Sequence, residues 1–370
     1  MIPPDLPRPQ RAALPAGSAR PITLALVGDV MLGRGVDAAG ADMAPADMWG
    51  DVLPRLLAAD ARIANLECAL TRHRRPWARS AKVFHFRARP EAARFLQAAR
   101  FDVCALANNH VLDFEVRGLR DTLRTLDAAG IAHAGAGEDA VQASAPAIID
   151  LPGVVPRRVA VVAFTDNQPD FAAGAGSPGT NYLVVRLDAA TLDRVETAIR
   201  QAREAGAGCV VFSIHWGGNF VERPSALFRQ FARRVIELGA DVVHGHGAHI
   251  GQGIEIHQGR PILYDTGDFV DDYAVDPVLR NDRSCLYVLL FERQGLERIE
   301  LFPVQLRCAR VRLARGAEFD AIAGWTQSRC AEFGTPVERA ADRLIVIPPP
   351  TADAPPAAAD VRPGMSGLGW

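Results

Sequence analysis

Polar side chains that can bind metal ions follow five apolar runs of the sequence. The five clusters are Gly28-Asp29, Asn65-Leu66-Glu67, Asn108-Asn109-His110, His215-Trp216-Gly217-Gly218 and His244-Gly245-His246-Gly247-Ala248-His249. Carboxylate, imidazole and amide donors are hard to borderline ligands, which suit manganese, iron, zinc or magnesium better than a metal that prefers thiolates. These residue types therefore indicate a metal site.

The last cluster carries most of this interpretation. Three imidazoles lie within six residues and are interleaved with glycines, a pattern that core packing does not explain. The glycines let the backbone bend tightly enough to bring the side chains together. Each other cluster has an ordinary alternative on its own, since Asp29 could form a turn, Glu67 could lie at the surface and His215 could be a buried core histidine. Their joint occurrence favours a functional site.

A site of this composition can hydrolyse esters or amides. Asp29 and Glu67 would neutralise two divalent ions, and the imidazoles of His215, His246 and His249 would complete two partly open ligand shells. Two metal ions roughly 3.5–4 Å apart polarise a phosphoryl or acyl oxygen and supply hydroxide at neutral pH. Such chemistry needs no activated serine, and the sequence contains no G-x-S-x-G elbow.

The apolar runs before the clusters predict buried strands at residues 22–28, 62–67, 101–110, 209–216 and 241–246. Apolar residues at helical spacing predict helices through 119–129, 192–202 and 223–239. Strands that alternate with helices are typical of an α/β core with parallel or mixed strands. In an open α/β sheet, ligands bind beyond the carboxyl ends of the strands, so the five clusters are expected to meet in one crevice.

After about Gly253 the pattern predicts antiparallel pairing instead, with a hairpin through Gln294-Gly295. Stretches rich in Pro, Ala and Gly predict flexible tails at residues 1–20 and 348–370. No break in composition separates them, so residues 21–347 are expected to form one domain.

Composition excludes several classes of protein. The 370 residues carry a net charge of -2, which gives no support to nucleic-acid binding. The six cysteines contain no C-x-x-C pair, which favours reduced thiols over a zinc cluster or a disulfide framework. The N-terminus lacks the apolar core of a secretory signal, and no apolar stretch is long enough to span a membrane. We therefore expect a cytoplasmic protein without a membrane anchor.

Five ordered motifs resemble the capsule synthesis protein CapA family. They are GDVMLGRGVD (28–37), ANLECALT (64–71), ALANNHVLDF (105–114), SIHWGGNF (213–220) and VVHGHGAHIGQGIEIHQGRPILYDTGDF (242–269). The resemblance runs from about residue 22 to residue 290. This family is similar to the calcineurin-like metallophosphoesterases, so the resemblance implies an α/β fold with two facing mixed β-sheets flanked by helices.

The resemblance also implies a role for each matching position. Asp29 matches the first metal-binding aspartate, and Met31 stands where the superfamily usually has a histidine ligand. Glu67 stands at the position of a bridging aspartate. The remaining metal ligands would be Asn109, His215, His246 and His249. His110 would protonate the leaving group or steady the transition state. The residues expected to orient these groups are His244, Asn108, Asp113 and Asp268.

Two functions remain open at this point. The first is a hydrolase that binds divalent metal ions, two in the family pattern with manganese favoured over iron, zinc or magnesium, and that cleaves phosphate esters of an anionic small molecule or polymer. The second is a non-catalytic accessory protein of polyglutamate or capsule assembly that binds polymer or partner enzymes. The basic stretch Arg72, Arg74 and Arg75 is either a solvated loop or a contact for an anionic substrate.

Overall fold

The structure, a computed structural model, describes residues 20–151, 153–155, 158–292 and 295–349. Its α-helices are α1 (Arg34–Gly40), α2 (Leu53–Ala58), α3 (Ala93–Ala98), α4 (Glu115–Ala128), α5 (Ala140–Ser144), α6 (Ala189–Glu204), α7 (Ala226–Glu237) and α8 (Ala317–Ala331). Its strands are β1 (Arg20–Val30), β2 (Ala61–Leu66), β3 (Ala69–Leu70), β4 (Arg87–Ala88), β5 (Val103–Ala105), β6 (Ala132–Ala134), β7 (Ala136–Gly137), β8 (Ala147–Asp150), β9 (Val154–Val155), β10 (Arg158–Thr165), β11 (Gly179–Thr180), β12 (Cys209–His215), β13 (Val242–His246), β14 (Ile254–His257), β15 (Arg260–Leu263), β16 (Asp268–Val270), β17 (Arg283–Glu292), β18 (Gly295–Arg307), β19 (Arg310–Leu313), β20 (Glu338–Arg339) and β21 (Leu344–Val346).

The larger sheet is built around β1. Its order is β20-β21-β18-β17-β1-β2-β5-β6, and β16 and β9 also pair with β1. β1 runs parallel to β2 and antiparallel to β17, so the sheet is mixed. From Leu24 to Val30 every residue of β1 is buried, which is why this strand reads as a nearly continuous apolar run.

The smaller sheet has the order β14-β15-β13-β12-β10-β8. Its four central strands are parallel, whereas β8 and β14 pair antiparallel at the two edges. Parallel neighbours need crossover connections, which α6 and α7 provide here. The side chain of Asp188 caps the first turn of α6, and that of Ser225 caps α7.

The two sheets face each other across an apolar core. Side chains of β1 and β2, including Leu24 and Ile63, pack in one cluster with Val161, Val211 and Val242 of the smaller sheet. A second cluster joins the outer face of the larger sheet to α2, α3 and α4. A third joins the smaller sheet to α6 and α7. Both faces of each sheet are therefore buried against apolar side chains, and this packing holds the ends of the strands in position.

The α/β fold expected from the sequence, with two facing mixed sheets flanked by helices, is confirmed. The strand predicted at 101–110 is shorter and covers only β5. It ends early because Asn108 Oδ1 accepts hydrogen bonds from the backbone of His110 and Val111 and turns the chain. β17 and β18 pair antiparallel as predicted, and Gln294, where the sequence predicts the hairpin turn, lies outside the described residues.

Residues 1–19 and 350–370 lie outside the described residues, so both predicted tails fall almost wholly there. Arg20, which the sequence placed in the first tail, begins β1. All six cysteines are free, and Cys308 is the exposed one among them. Within the described ranges, none of the helices combines the length and the apolar character that crossing a membrane requires.

Candidate metal centre

Strand register brings the predicted residues together at one end of both sheets. Asp29, near the end of β1, lies opposite Asn65 on β2 and opposite Asp268 on β16. His215, at the end of β12, lies opposite His246 at the end of β13. Because the two sheets face each other, these strand ends open onto the same space, as expected for ligand sites of parallel strands.

Two glycines permit this close approach. A Cβ on Gly28 would lie 1.7 Å from the carbonyl oxygen of Gly267, so only glycine lets β1 reach the loop before β16. Gly247 has a φ of 109°, and a Cβ there would come within 3.1 Å of the His215 ring. The second glycine therefore allows the chain to turn after His246 and return with His249.

The buried side chains form two adjacent groups of possible metal ligands. One group consists of Asp29, His215 and His246, and the other of Asp29, Glu67, His249 and Asp268. Within each group, one donor atom from every residue lies within 4.8 Å of the others. Asp29 is common to both groups, whereas the family resemblance placed the bridging role at Glu67.

Buried amides hold Asp29 in place. Asn65 Nδ2 donates to Asp29 Oδ1 at 2.7 Å, and Asn65 Oδ1 accepts from Asn108 Nδ2 at 2.9 Å. Asn108 Nδ2 also donates to the carbonyl oxygen of Leu66. Asn108, expected to orient neighbouring groups, therefore links the loop after β5 to the end of β2.

Two histidines of the smaller sheet point toward Asp29. His215 Nδ1 lies 3.9 Å and His246 Nδ1 3.6 Å from Asp29 Oδ1. The other nitrogen of His246, Nε2, is 2.9 Å from Ser213 Oγ. Ser213 thereby turns the Nδ1 edge of His246 into the site, in the way that a second partner orients a ligating imidazole. His244 packs edge-on against His246, with ring centroids 5.3 Å apart.

A second set of contacts surrounds His249. Its Nδ1 lies 2.9 Å from Asp268 Oδ1 and 3.5 Å from Asp29 Oδ2. Tyr273 donates its hydroxyl to Glu67 Oε2 at 3.1 Å and packs edge-on against the His249 ring. Asp268 thus contacts a ring nitrogen, as the sequence led us to expect.

His110 lies beside Glu67 in the same site. Its Nδ1 is 2.6 Å from Asp113 Oδ2, and its Nε2 is 3.7 Å from Glu67 Oε1. The ring of Phe86 stacks on the imidazole with a centroid separation of 3.8 Å. Burial lowers the pKa of His110 well below its ordinary value and raises that of Asp113 to about 7.

Carboxyl groups cluster in this buried space, where Asp29, Glu67 and Asp268 surround His249. Burial and nearby carboxylates raise the pKa of Asp29 well above its usual range, and burial also raises the pKa values of Glu67 and Asp268. Although burial alone would lower it, these carboxylates raise the pKa of His249. Burial lowers the pKa values of His215 and His246, so both are neutral at neutral pH, the form that binds metals.

Several acceptor atoms here have no hydrogen-bond partner within the described ranges: Asp29 Oδ2, Glu67 Oε1 and Asn109 Oδ1. A buried polar atom without a partner is costly, and buried carboxylates normally pair with a cation or coordinate a metal. Donor type, burial and charge therefore all fit divalent cations.

Met31 lies between β1 and α1. Its side chain is fully buried, and its sulfur accepts a hydrogen bond from the backbone N–H of Gly33 at 3.0 Å. Met31 thus holds the turn into α1. The second group of possible metal ligands, which contains Asp29, Glu67 and His249, is completed by Asp268.

Sequence reasoning assigned no role to several residues that shape the site, although it named Asn65 in the second cluster. They are Asn65, Ser213, Tyr273, Lys82 and Phe86. Asn65 lies on β2, two residues before Glu67, and this spacing is a usable signal, whereas no sequence pattern marks Tyr273. Of the basic stretch, Arg72 pairs with Glu91 and borders a groove of about 710 Å³ between α3 and α4.

Comparison with known proteins gives related sequences. The chain matches the model of the bacterial capsule synthesis protein PGA_cap over residues 23–273. It is 32% identical to a probable polyglutamine synthesis accessory protein of Mycobacterium tuberculosis, over 90% of this chain and 98% of that protein. It is 28% identical to the capsule biosynthesis protein CapA of Bacillus anthracis, over 77% of this chain and 68% of that protein.

Among solved structures, the chain is similar to TT1561 of Thermus thermophilus, with a TM-score of 0.38 and 12% identity over 73% of this chain and 94% of that chain. The family model covers more than half of the 370 residues. This chain therefore belongs to the bacterial capsule synthesis protein PGA_cap family.

Proposed function

We propose that this protein is a metal-dependent hydrolase of phosphate esters that acts in polyglutamate or capsule metabolism. One observation carries the proposal: two buried groups of donor atoms share Asp29, and within each group the donors lie within 4.8 Å of one another. Two ligand groups that share a carboxylate are suited to holding two metal ions close together.

Asn109 and the members of the two groups other than Asp268 would supply the ligands. The proposed set is Asp29, Glu67, Asn109, His215, His246 and His249, with manganese favoured among manganese, iron, zinc and magnesium. Carboxylate and amide oxygens suit manganese and magnesium, while imidazole also admits iron and zinc. When bound, such ions polarise a phosphoryl group and activate water.

The surrounding residues hold this set in place. Asn65 fixes one oxygen of Asp29, Ser213 orients His246, and Asp268 orients His249. Asn108 and His244 pack behind these residues. Partners of this kind affect metal affinity because they fix the orientation and basicity of the ligands.

His110 is the proposed proton donor to the leaving group. Its Nδ1 is bound by Asp113, so the Nε2 edge faces Glu67 and the interior of the site. Burial lowers the pKa of the free imidazole. The negative charge of a phosphate ester placed against Nε2 would raise that pKa, and a proton donor requires such a rise.

Metal analysis and an assay of the purified protein test the proposal. We expect bound manganese, iron or zinc and hydrolysis of bis-p-nitrophenyl phosphate. Asp29→Ala and His246→Ala should lose metal and activity together, while His110→Gln should keep the metal and lose turnover. His257→Ala, which removes a partly exposed histidine paired with Glu237, should change neither. Metal content in the unaltered protein no higher than in Asp29→Ala would refute the proposal.

An accessory role without turnover is the second candidate. It is favoured by the name of the Mycobacterium tuberculosis relative, a probable polyglutamine synthesis accessory protein. A purely accessory protein would bind poly-γ-glutamate equally well before and after Asp29→Ala and would hydrolyse no ester. Neighbouring capsule-ligase genes would also favour this role.

The proposed substrate is anionic, either a small molecule or a polymer. Arg74 and Arg75 are exposed, and Arg72 borders a groove that Arg94 and Arg117 also line. Cationic side chains at a groove raise the local concentration of anions. The cytoplasmic location expected from the sequence stays a prediction, which cell fractionation would test.

A further inference from the structure

Lys82 is the only lysine of a chain that otherwise places its positive side-chain charge on arginine. Its side chain is only 6% exposed. Nζ donates to the carbonyl oxygen of Asn109 at 2.5 Å and lies 3.3 Å from Asp113 Oδ1. An ammonium is a compact group with three donors, whereas a guanidinium is a wider planar fork. Two acceptors that converge on one buried nitrogen therefore select lysine.

Phe86 contacts the same turn from a position four residues further on. Its backbone N–H donates to Asp113 Oδ2 at 2.6 Å. Its ring lies 3.8 Å from the ring of His110, with 20° between the two planes. The backbone N–H of Trp77 adds a hydrogen bond to the carbonyl oxygen of Asp113 at 2.8 Å.

These contacts leave His110 little freedom. Phe86 covers one face of the imidazole, and Asp113 binds Nδ1, so the Nε2 edge is aimed at Glu67. Asp113 is itself held by Phe86 and Lys82. The segment 82–86 thus fixes both the ring and the carboxylate that orients it.

Two of the three side chains between these residues point outward, whereas Nε2 of the third, His85, lies 3.1 Å from the carbonyl oxygen of Trp77. Val83 is 85% and Phe84 58% exposed. Removing the amine of Lys82 therefore leaves these neighbours solvated as before and acts chiefly on Asn109 and Asp113.

We infer that Lys82 and Phe86 are positioning residues that hold His110 in the orientation needed for proton transfer, an inference that rests on the proposed hydrolase function. Misplacement of a reacting group by about 1 Å can cost on the order of a hundredfold in rate. The effect is expected in kcat and not in KM, because neither residue needs to touch the substrate.

Steady-state kinetics with bis-p-nitrophenyl phosphate tests this. Lys82→Met and Phe86→Leu should lower kcat by about tenfold to a hundredfold with unchanged KM and metal content. Lys82→Arg should not restore the rate, whereas added ethylamine should partly restore Lys82→Ala. Arg79→Met is the matched control: Arg79 lies on the same loop, is exposed and pairs with Glu115, so kcat should not change.

A single lysine permits a readout that does not depend on activity. Acetylation of Lys82 by an amine-directed reagent, followed by mass spectrometry, reports how tightly its amine is held. We expect Lys82 to react far more slowly in the folded protein than in urea, and faster in Phe86→Leu and Asp113→Asn than in the unaltered protein. Arg79→Met should leave the acetylation rate unchanged.

The outcomes separate the two claims. Absence of hydrolysis by the unaltered protein would overturn the proposed function and this inference with it. Hydrolysis with unchanged kcat in folded Lys82→Met and Phe86→Leu would overturn the inference alone. Equal acetylation rates in the folded and urea-unfolded protein would also overturn it, whatever the activity.

Discussion

Asn65 Nδ2 donates a buried hydrogen bond to Asp29 Oδ1 at 2.7 Å. The same nitrogen lies 3.3 Å from His215 Nδ1 on the opposite sheet. One amide therefore stands between the carboxylate of the larger sheet and the imidazole of the smaller one. It also determines which oxygen of Asp29 stays free, since Oδ2 has no hydrogen-bond partner among the described residues.

Asn65→Ala should weaken both the fold and the metal site. The change removes one partner each from Asp29 and Asn108, which should lower the free energy of unfolding by about 2 kcal/mol. Loss of a residue that orients a ligand should reduce manganese affinity about tenfold to a hundredfold. Urea unfolding and calorimetric titration measure the two effects.

Asn181→Ala is the control for this prediction. Asn181 is a buried asparagine whose side chain bonds the carbonyl oxygen of Ala163 and Arg194 instead of the site. It should lose stability but keep its manganese affinity. Equal losses of affinity in the two variants would show that Asn65 has no specific part in the site.

Met31→Leu should leave metal content unchanged. The Met31 sulfur accepts from the backbone of Gly33, and a leucine of similar volume preserves the packing at a cost below about 1.5 kcal/mol. Elemental analysis of both proteins measures this. Loss of one metal ion from the variant would mean that the thioether is a ligand.

Chelation should destabilise the protein. Metal ions at a hundredfold excess over their Kd stabilise a fold by about 2.7 kcal/mol, which corresponds to roughly 4 °C in Tm for a domain of this size. EDTA should therefore lower the Tm by this amount, and re-addition of manganese should restore it. The Tm of His246→Ala should respond to neither treatment; a matching EDTA effect there would point to a different binding site.

A pH-dependent contribution to stability is expected at Asp60, away from the site. Although burial raises it, hydrogen bonds from Arg20 and Thr23 hold the pKa of Asp60 below its ordinary value. A carboxyl with a depressed pKa stabilises the fold above the unfolded-state pKa of about 3.9 and loses that contribution as pH falls toward the folded pKa. Asp60→Asn should therefore be less stable than the unaltered protein at pH 7, and urea midpoints should converge below about pH 4. A gap that stays constant with pH would contradict this.

The sequence was sufficient for the fold, and it named most of the residues that the structure brings together at the strand ends. β1 and β12 are buried on both faces, so they appear as apolar runs, and their polar ends mark where the ligand-bearing loops begin. The cluster from His244 to His249 could be recognised from the sequence because core packing does not explain three histidines interleaved with glycines.

The residues that the sequence did not reveal act across large chain separations. Tyr273 reaches Glu67 over 206 residues, and no local pattern encodes that contact. Phe86 and Lys82 lie on a loop with little regular structure, whose path depends on tertiary contacts to Asp113. The sharing of Asp29 between two ligand groups likewise follows from strand pairing and not from the order of motifs.

An anomalous-scattering crystal dataset measures the number, element and position of bound ions most directly. The account predicts two peaks about 3.5–4 Å apart on either side of the Asp29 carboxylate, with His215 and His246 beside one and His249 and Glu67 beside the other. A dataset from protein grown with manganese that shows no anomalous peak at these side chains would contradict it.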